Sequence, residues 1–422
     1  MKCKIEKSKL SGQIICPANK SYTHRAIFLS ALSDGKSIIK KMLNSNDTNA
    51  TISACRAFGV EVDESDDTLT IENSIGSTIQ GSMINAQNSG TTIRIATAIA
   101  ALSGGTTELT GDNSLKQRPM KPLLDSLEEL GITTESDDGK PPIIIKGKIH
   151  GSKVNIKGDI SSQFISALLI IAPRLENGLT IEINGNVVSK PYIDLTITTM
   201  KKFGADVKTM EPYKKYFITH QIYKPTTFTI PSDFSNLALL LSANILLGDN
   251  LKIKINLGEL PQGDEEIVDI LEKLGVNVTL DGETITTKSP DLLDGGRFDL
   301  SNTPDLLPAL AILVLKCRNQ IEIHNVKHAR YKETDRIAII CNELKKVGVI
   351  VSENDDGMTL KKGDIRSGVE LDSHGDHRLF MAFSILAMSI GDCVVTDPDS
   401  AGVSYPNFVS DMQNCGGRMS IV

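Results

Sequence analysis

The chain has 422 residues, of which 40% are hydrophobic and 23% are charged, a composition typical of a globular protein with two or more domains. Its formal net charge of −7 argues against a nucleic-acid-binding protein, because that class usually carries an excess of positive charge. The sequence contains no uninterrupted apolar run of about 18 residues, so we expect no membrane span.

The N-terminal segment MKCKIEKSKLSGQ has lysines but no apolar run behind them, so it is not typical of a signal peptide. The seven cysteines are scattered without a CxxC pattern, which is typical of reduced thiols in the cytoplasm. His374 and His377 are the two histidines nearest each other in the sequence, and no metal-ligand cluster is found among the seven histidines, so we expect no metal site.

Six similar segments recur along the chain, each with a short polar residue followed by an apolar helical run. In chain order they begin NKSYTHRAIFLSAL, NSGTTIRIATAIAAL, SSQFISALLIIAP, DFSNLALLLSANIL, TPDLLPALAILVL and DHRLFMAFSILAM. A strand-like stretch then follows, such as GLTIEINGN, NLKIKINLG or NQIEIHNV. Any α/β protein alternates helices and strands, but the fixed order of these features favours a repeated structural unit.

A second amphipathic run in each segment ends at a glycine, which is typical of a helix C-cap. The glycines lie within residues 58–60, 130–132, 203–205, 274–276, 347–349 and 415–417. Each segment of roughly 70 residues is therefore interpreted as a βαβαββ module, longer than a solenoid repeat. Six modules predict an α/β (α+β) protein of two domains with three modules each. The strand-like segment MKCKIEKS precedes the first module, and its pairing with the last modules would make one domain discontinuous.

Basic residues lie at or near the predicted helix starts. The first N–H groups of a helix lack partners within the helix and attract anions. A single arginine at such a position is usually an ordinary surface charge, whereas several cations at equivalent module positions predict a ligand with several negative charges. The seven cations are Lys20, Arg25, Arg94, Arg118, Lys332, Arg336 and Arg378.

Two carboxylates stand among these cations. Asp305 follows Pro304 and precedes an apolar helical run, so it is a simple N-cap, a group that acts on a ligand, or both. Glu333 lies in the sequence KETDR, where it is either a first-turn acid, a partner in an intramolecular ion pair, or a general acid–base group. We also expect Lys332 and Arg336 to lie one turn apart on one helix face, sharing an anion.

The motifs PANKSYTHR, NSGTTIR, QRPM, SSQF, SKPYID, KETDR and DHR, in this order and spacing, resemble those of the 5-enolpyruvylshikimate-3-phosphate (EPSP) synthase family of enolpyruvyl transferases. The resemblance covers essentially the whole chain. It implies a two-domain inside-out α/β barrel with six βαβαββ pseudo-repeats and an active site in the interdomain cleft. One domain would comprise residues 19–231, with modules one to three. The other would join residues 1–18 to residues 232–422, with modules four to six.

The resemblance also implies an activity. The family transfers the enolpyruvyl (carboxyvinyl) group of phosphoenolpyruvate to the 5-hydroxyl of shikimate 3-phosphate and releases phosphate, in the shikimate pathway of chorismate and aromatic amino acid biosynthesis. We therefore expect a cytoplasmic, monomeric transferase with these two substrates as its partners. We expect no metal or organic cofactor, no nucleic acid and no membrane.

Residues of this chain that match the family's motifs are carried over as expected contacts. Those for shikimate 3-phosphate are Lys20, Ser21, Arg25, Ser161, Ser162, Gln163, Ser189, Tyr192, Asp305 and Lys332. Those for phosphoenolpyruvate are Lys20, Gly90, Arg118, Gln163, Arg336 and Arg378. Supporting positions are Asn88, Thr91, Arg94, His328 and His377.

The reaction is an addition followed by an elimination, and it needs two proton transfers. We assign removal of the hydroxyl proton to Asp305, and donation and later removal of a proton at C3 of phosphoenolpyruvate to Glu333. Lys20 would assist at the hydroxyl or at the departing phosphate. The remaining catalytic effect would be electrostatic and positional.

Two positions depart from the family's pattern. The family often has a lysine before the hydroxyl-aromatic-proline sequence near the C-terminus, where this chain has Val403 in AGVSYP. His328 occupies a position that is often asparagine in the family. One phosphoenolpyruvate cation is therefore missing or supplied from elsewhere, and one substrate contact is altered.

Two other functions are compatible with the sequence. UDP-N-acetylglucosamine enolpyruvyl transferase shares the fold, but it commonly carries a reactive cysteine in the second module's loop, where TGDNSLKQRPM has none. A non-catalytic repeat protein could bind acidic ligands, and it would need basic helix starts but not Asp305 and Glu333 facing them.

Overall fold

The computed structural model describes residues 1–73 and 82–422, which divide into two compact units. Unit 1 consists of Met1–Pro17, Ser232–Leu257 and Gln262–Val422. Unit 2 consists of Ala18–Pro231 and Gly258–Pro261. The sequence did not predict that Gly258–Pro261 would belong to unit 2. There the Tyr22 hydroxyl donates a hydrogen bond of 2.7 Å to the carbonyl of Pro261.

Unit 2 contains three βαβαββ modules, with helices and strands numbered here in chain order over the whole protein. Module one has α1 (Lys20–Leu32), β3 (Gly35–Lys40), α2 (Asn46–Ala57), β4 (Glu61–Ser65), β5 (Thr68–Asn73) and β14 (Thr227–Thr229). Module two has β6 (Met83–Asn85), α3 (Gly90–Ala100), β7 (Thr106–Thr110), α4 (Lys121–Glu129), β8 (Thr133–Asp137) and β9 (Lys140–Lys146). Module three has β10 (Lys153–Lys157), α5 (Ser162–Ile171), β11 (Leu179–Asn184), α6 (Pro191–Lys202), β12 (Lys208–Glu211) and β13 (Lys215–Ile218).

Unit 1 contains the other three modules. Module four has β2 (Leu10–Ile15), α7 (Phe234–Leu247), β15 (Gly248–Lys254), α8 (Glu266–Lys273), β16 (Asn277–Asp281) and β17 (Thr284–Lys288). Module five has β18 (Gly296–Asp299), α9 (Leu307–Ile312), β19 (Ile321–His324), α10 (Arg336–Lys346), β20 (Ile350–Asn354) and β21 (Gly357–Lys361). Module six has β22 (Glu370–Leu371), α11 (His377–Ile390), β23 (Cys393–Thr396), α12 (Phe408–Asn414), β24 (Arg418–Ile421) and β1 (Lys2–Glu6).

The same four-stranded sheet recurs in every module. In module two, for example, the order is β6-β7-β9-β8, with β6 parallel to β7 and the other pairs antiparallel. A parallel pair requires a crossover connection, and here that connection is the module's first helix. The predicted α/β fold class and the six modules are therefore confirmed.

Strands distant in sequence complete three of the modules. The N-terminal strand β1 lies between β23 and β24, with Ile5 opposite Cys393 and Met419, so the predicted pairing of this segment with the last modules is confirmed. Strand β2 pairs in parallel with β15 of module four. Strand β14 pairs in parallel with β3 of module one, a pairing that the sequence did not predict.

Each unit has its own hydrophobic core, built around the first helix of each module. Helices α5, α7 and α11 are buried on almost all sides, which explains why their sequences are apolar throughout and not only along one stripe. Their polar N-terminal residues are therefore the part of each helix that is available for chemistry.

Helix ends agree with the sequence in most modules. Side chains of Asn19, Ser89, Ser161, Asp233 and Asp376 accept hydrogen bonds from backbone N–H groups at the starts of five first helices. The glycines that follow the second helices all have positive φ, between 80° and 103°, as a C-cap requires; they are Gly59, Gly131, Gly204, Gly275, Gly348 and Gly416. Within the described residues, no helix is long and apolar enough to cross a membrane.

Candidate active site

Arg336 is the centre of a network of charged side chains in unit 1. It is the first residue of α10, and only 1% of its surface is exposed. Its Nε donates to Asp376 Oδ2 at 2.8 Å, its Nη1 to Asp305 Oδ1 at 2.8 Å, and its Nη2 to Glu333 Oε2 at 2.6 Å. One guanidinium therefore binds three carboxylates from three separate parts of module five and module six.

The carboxylates keep Arg336 charged although it is buried. Burial acts against a charged guanidinium, but the negative charges of Asp376, Glu333 and Asp305 outweigh it and raise the pKa of Arg336 above its usual value. A guanidinium surrounded in this way has a fixed orientation, because turning any N–H away would leave a carboxylate without its hydrogen bond and without its opposite charge.

Asp305 receives three cations. Besides Arg336, it is 3.4 Å from Lys332 Nζ and 3.3 Å from Arg378 Nη2. It lies in a short 3₁₀ helix, Pro304–Leu306, whose N-cap is Thr303 and which has no side-chain capping bond. The interpretation of Asp305 as a simple N-cap is therefore wrong, and its carboxylate faces the cations that the sequence had singled out.

Lys332 does not lie on a helix face with Arg336. A 3₁₀ helix ends at Tyr331, and α10 begins only at Arg336, with Asp335 as its N-cap. The expected one-turn spacing between these cations is therefore wrong. Both cations instead reach the same oxygen, Asp305 Oδ1, from opposite ends of the short segment between the two helices.

Glu333 precedes α10, so it is not a first-turn acid. Its ion pair with Arg336 confirms one of the alternatives left open by the sequence. The side chain retains 15% exposure, whereas Arg336 retains only 1%. Glu333 therefore binds the buried Arg336 while part of its side chain remains accessible to solvent.

The two histidines near this network are buried. His328 is 5% exposed, and burial together with the positive charge of Lys332 lowers its pKa to about 4, against a smaller opposite effect of Asp305. No hydrogen-bond partner is found for its Nε2 among the described residues. His377 opens α11 and is 1% exposed, with Nδ1 at 3.9 Å from Asp376 Oδ1. Val403, at the position of the missing lysine, is also buried at the end of a 3₁₀ helix.

In unit 2, Lys20 opens α1 and forms an ion pair with Asp47 of α2, with 2.9 Å between Nζ and Oδ2. The Lys20 and Asp47 side chains are 14% and 6% exposed. Asn19 caps the helix, and the ion pair with Asp47 holds the ammonium group of the first helical residue. The predicted position of Lys20 at an anion-attracting end is therefore where the structure places it.

A second group in unit 2 surrounds Gly90, the first residue of α3. Arg94 Nη1 donates to Gln163 Oε1 at 2.6 Å, and Gln163 Nε2 donates to Thr91 Oγ1 at 3.1 Å. Arg118 Nη2 donates to Asn88 Oδ1 at 2.6 Å. A Cβ placed on Gly90 would lie 3.0 Å from Arg118 Nη1 and 3.2 Å from Arg94 Nη1. The two guanidinium groups thus approach the helix start so closely that they leave little room for a side chain there.

Arg25 is held inside a third group. Its Nε donates to Thr196 Oγ1 at 2.7 Å and its Nη2 to Ser166 Oγ at 3.2 Å, while its Nη1 donates to the carbonyl of Ser21 at 3.0 Å. Burial lowers its pKa to about 10, and the nearby Tyr192 acts in the opposite direction. These neutral partners hold the side chain but do not neutralise its charge.

The hydroxyl residues carried over from the family occupy helix starts of module three. Ser161 is the N-cap of α5, Ser162 is its first residue, and both precede Gln163. Ser189 has a positive φ of 54°, a rarely adopted conformation, and its carbonyl accepts a hydrogen bond of 3.2 Å from the backbone N–H of Tyr192. The predicted residues therefore form local groups within unit 1 and within unit 2.

Sequence reasoning missed three carboxylates in these groups. Asp376 was visible in the quoted DHR motif but was not singled out. Asp47 lies in a polar helix start with no motif to mark it. Asp264 is 4% exposed and bonded to the Ser235 hydroxyl, and burial, with the negative charge of Asp305, raises its pKa to about 7. Proximity in space identified these residues, and their spacing in the sequence gave no comparable signal.

The described residues contain no group of three or more histidine, cysteine, aspartate or glutamate side chains that could hold a metal ion. Unit 1 offers fixed cationic groups with the carboxylates of Asp305, Glu333 and Asp376 among them, and unit 2 has its own set of cations, which includes Lys20 beside Asp47. Such an arrangement can bind phosphate and carboxylate groups and can move protons between a ligand and its carboxylates.

Comparison with known proteins identifies similar chains over the full length. The sequence model of EPSP synthase (3-phosphoshikimate 1-carboxyvinyltransferase) matches residues 5–412. A 3-phosphoshikimate 1-carboxyvinyltransferase of Nitrosopumilus maritimus is 57% identical over 419 residues, with 99% of each chain covered. The enzyme of that name from Methanosarcina acetivorans is 41% identical over 427 residues, again with 99% of each covered.

Solved structures agree in fold. An EPSP synthase from Acinetobacter baumannii superposes with a TM-score of 0.81 at 22% identity, covering 100% of both chains. The enolpyruvyl transferase NikO from Streptomyces tendae gives a TM-score of 0.79 at 17% identity, covering 99% of this chain and 98% of that one. At these identities, the two comparisons support the fold.

Proposed function

Since the chain belongs to the EPSP synthase family of 3-phosphoshikimate 1-carboxyvinyltransferases, we propose that it transfers the carboxyvinyl group of phosphoenolpyruvate to the 5-hydroxyl of shikimate 3-phosphate and releases phosphate. The chain is thus a transferase of the shikimate pathway, which leads to chorismate and the aromatic amino acids. The proposal concerns the substrates, the residues that bind them and the residues that move protons.

One observation carries the proposal: a single buried guanidinium, that of Arg336, binds both Asp305 and Glu333. An anion that accepts hydrogen bonds from Nη1 and Nη2 of Arg336 competes with these two carboxylates for the same donors. Binding of phosphoenolpyruvate at Arg336 would therefore release Asp305 and Glu333 beside the bound substrate. A plain anion-binding protein has no need of two carboxylates at that position, because they oppose the binding of an anion.

The substrates of this reaction match the charges of the site. Together they carry two phosphates and two carboxylates, which several arginine and lysine side chains can bind through charge-assisted hydrogen bonds. We assign phosphoenolpyruvate to Lys20, Gly90, Arg118, Gln163, Arg336 and Arg378. We assign shikimate 3-phosphate to Lys20, Ser21, Arg25, Ser161, Ser162, Gln163, Ser189, Tyr192, Asp305 and Lys332.

The proton transfers follow from the chemistry of addition and elimination. The 5-hydroxyl oxygen attacks C2 of phosphoenolpyruvate and gives its proton to Asp305, while C3 receives a proton from Glu333. The resulting tetrahedral intermediate then loses phosphate, which takes up the proton held by Asp305, as Glu333 takes a proton back from C3, which restores the double bond in the product. Lys20 would stabilise the charge that develops on the oxygen of the departing phosphate.

The cytoplasmic location and the monomeric state form a second part of the proposal. All seven cysteines are free and buried, and such thiols are usual in a reducing compartment. Light scattering coupled to gel filtration tests the monomer directly, and a mass of twice the 45.7 kDa chain mass would contradict it.

The decisive experiment measures phosphate release from phosphoenolpyruvate with two acceptors in parallel. We expect release with shikimate 3-phosphate and none above background with UDP-N-acetylglucosamine. Release with UDP-N-acetylglucosamine alone would identify the related transferase. No release with either acceptor, together with binding of phosphoenolpyruvate, would indicate a non-catalytic binding protein and would disprove the proposed function.

A further inference from the structure

Asp376 is a fully buried carboxylate at the start of α11, with none of its surface exposed. Its Oδ1 accepts hydrogen bonds from the backbone N–H groups of Arg378, at 2.9 Å, and Leu379, at 3.4 Å, so it caps the helix. The same side chain also accepts a hydrogen bond of 3.2 Å from the Thr334 hydroxyl. Capping alone is a common duty of aspartate at this position.

The contact with Arg336 gives Asp376 a second role. Arg336 Nε lies 2.8 Å from Asp376 Oδ2, and Arg336 Nη2 lies 3.3 Å from Asp376 Oδ1, so the carboxylate binds one edge of the guanidinium with both oxygens. Such a two-point contact fixes the plane of the guanidinium as well as its position. The remaining N–H groups, on Nη1 and Nη2, are thereby directed at Asp305 and Glu333.

Asp376 therefore connects two arginines that the proposed function assigns to phosphoenolpyruvate. It binds Arg336 through the side chain and the backbone N–H of Arg378 through the helix cap. Arg378 in turn reaches Asp305 Oδ2 at 3.3 Å. A displacement of this one carboxylate would shift both cations relative to Asp305.

We propose that Asp376 is a positioning residue for the transfer reaction: it holds the guanidinium of Arg336 and the start of α11 in register, and it shares the charge of Arg336 with Asp305 and Glu333. The inference rests on the proposed function. Asp376 contacts neither substrate in this scheme, and it acts through Arg336 and Arg378. With a third carboxylate on Arg336, neither Asp305 nor Glu333 has to neutralise that charge alone, so both can leave it when substrate binds.

Two effects of removing the Asp376 charge oppose each other. The site would gain one net positive charge, which favours binding of an anion. Arg336 would lose its two-point anchor and would be neutralised by Asp305 and Glu333 alone, which hinders their release. We expect the loss of the Arg336 anchor to decide the rate, because the orientation of the substrate and the proton transfers both depend on Arg336. A gain in ground-state binding does not accelerate the reaction.

The test uses Asp376→Asn, which keeps one oxygen for capping α11 but turns an amide N–H₂ group towards donors of Arg336 or of the helix backbone. We expect kcat/KM for phosphoenolpyruvate, at saturating shikimate 3-phosphate, to fall about 100-fold, mostly in kcat. We also expect the acidic limb of the pH–rate profile to move to lower pH, because loss of a neighbouring negative charge makes carboxylic acids release their protons at lower pH.

Other charged groups face the same carboxylates and must be unchanged for the pH comparison to be valid. They are Lys332, Arg336 and Arg378, which bind Asp305, and His328 and Asp264, which interact with it electrostatically. All five are present in both the parent protein and the variant. The difference between the two profiles therefore reports the missing charge of Asp376.

Asp335→Asn is the matched control. Asp335 caps α10, the helix that carries Arg336, and binds a different arginine, Arg330, at 3.0 and 2.8 Å. We expect this variant to lose some thermal stability but to keep kcat/KM within about threefold and the acidic limb in place. Equal losses in both variants with no shift of the limb would reduce Asp376 to a helix cap and would overturn the inference.

If Asp376→Asn does not fold, Thr334→Val replaces it, because this change removes only the hydrogen bond from an uncharged hydroxyl to Asp376 Oδ2. A fall of kcat/KM of about threefold or more in Thr334→Val, with its melting temperature kept, supports the inference, and an unchanged value overturns it.

If the parent protein shows no transfer at all, the proposed function itself is wrong. If the parent is active and Asp376→Asn equals it, only the inference about Asp376 is wrong.

Discussion

Arg336 and Asp305, 31 positions apart in the sequence, are joined by a hydrogen bond of 2.8 Å between Nη1 and Oδ1. Lys332 and Arg378 approach the same carboxylate at 3.4 and 3.3 Å. Because Glu333 and Asp376 also bind Arg336, the three cations and the three carboxylates of this network balance in charge. Under the proposed function, an anionic substrate would compete with Asp305 for these cations.

Asp305→Asn should preserve the fold and lose turnover. The amide can still accept a hydrogen bond from Arg336, so the local structure persists, but it cannot take a proton from the acceptor hydroxyl. We expect kcat to fall by about 10²-fold or more, within the usual range for loss of a general base. Steady-state rates of phosphate release and a thermal melt of the same preparation measure the two effects.

Asp299→Asn serves as the control for Asp305→Asn. Asp299 ends β18 in the same module and accepts hydrogen bonds from Asn325 and from the backbone of Ser301. Its loss should leave kcat within about twofold of the parent value, as for most surface changes. A rate for Asp305→Asn that is equally close to the parent would remove Asp305 from its assigned role.

Glu333→Gln should stop proton exchange at C3 of phosphoenolpyruvate. In the proposed mechanism, Glu333 both delivers a proton to C3 and removes one, so turnover in deuterated water introduces deuterium into the vinyl group of the product. We expect kcat and the rate of deuterium incorporation to fall together by about 10²-fold or more. Mass spectrometry of the product and of recovered phosphoenolpyruvate measures the incorporation.

Glu353→Gln is the matched control for Glu333→Gln, since Glu353 binds Arg330 Nη2 at 2.9 Å much as Glu333 binds Arg336 Nη2. Glu353→Gln should keep both rates. If Glu333→Gln lost turnover but incorporated deuterium at the parent rate, another residue would be the acid at C3.

Local features of the fold could be predicted from the sequence because they depend on residues close along the chain. Capping by Ser89 or Asp233 needs only the next two or three residues, and the positive φ of Gly59 needs only the local turn. Repetition of these signals six times predicted the modules. Strand β14 could not be assigned in this way, because its partner β3 lies almost 190 residues earlier and nothing local determines that pairing.

The candidate site, like the fold, could be predicted only in part. Asp305, Glu333 and Arg336 were recognised as chemically unusual, and the structure brings them together. The expected helical spacing of Lys332 and Arg336 was wrong, because Asp335 caps α10 and the helix begins at Arg336, four residues after Lys332. Asp376 was missed because its chemistry depends on Arg336, 40 positions away.

Gly90→Ala should weaken the use of phosphoenolpyruvate without weakening the fold. The new Cβ would lie 3.0 Å from Arg118 Nη1 and 3.2 Å from Arg94 Nη1, so both guanidinium groups would have to move by a few tenths of an ångström. Each is tied by a hydrogen bond of 2.6 Å, to Asn88 and to Gln163 respectively, which opposes that movement. We expect KM for phosphoenolpyruvate to rise about tenfold, with a smaller change in KM for shikimate 3-phosphate.

Thr97→Ser controls for a volume change elsewhere in α3. The Thr97 hydroxyl is bonded to the carbonyl of Ile93, and serine can keep that bond. This variant should keep both KM values. An unchanged KM for phosphoenolpyruvate in Gly90→Ala would show that Arg118 and Arg94 can move freely, and would contradict a close fit of the substrate at this helix start.

His328 should make the protein less stable as the pH falls. Burial and the charge of Lys332 lower the pKa of its imidazole to about 4 in the folded chain, whereas an unfolded chain has a value near 6.5. Between these two pH values the unfolded chain binds a proton that the folded chain does not. The stabilisation is therefore complete above pH of about 6.5 and is lost as the pH falls towards 4, by about 3 kcal/mol at most.

His328→Asn removes this titration. Urea unfolding at a series of pH values between about 7.5 and 4.5 should show a smaller loss of unfolding free energy for His328→Asn than for the parent protein. His220→Asn is the control for the same substitution at an exposed histidine. Parallel curves for His328→Asn and the parent would mean that the buried imidazole accepts a proton in the folded state as readily as in the unfolded state. If the curves differ as expected, His328 is neutral at pH 7 and adds a hydrogen-bonding group near Lys332 and Asp305 without adding positive charge.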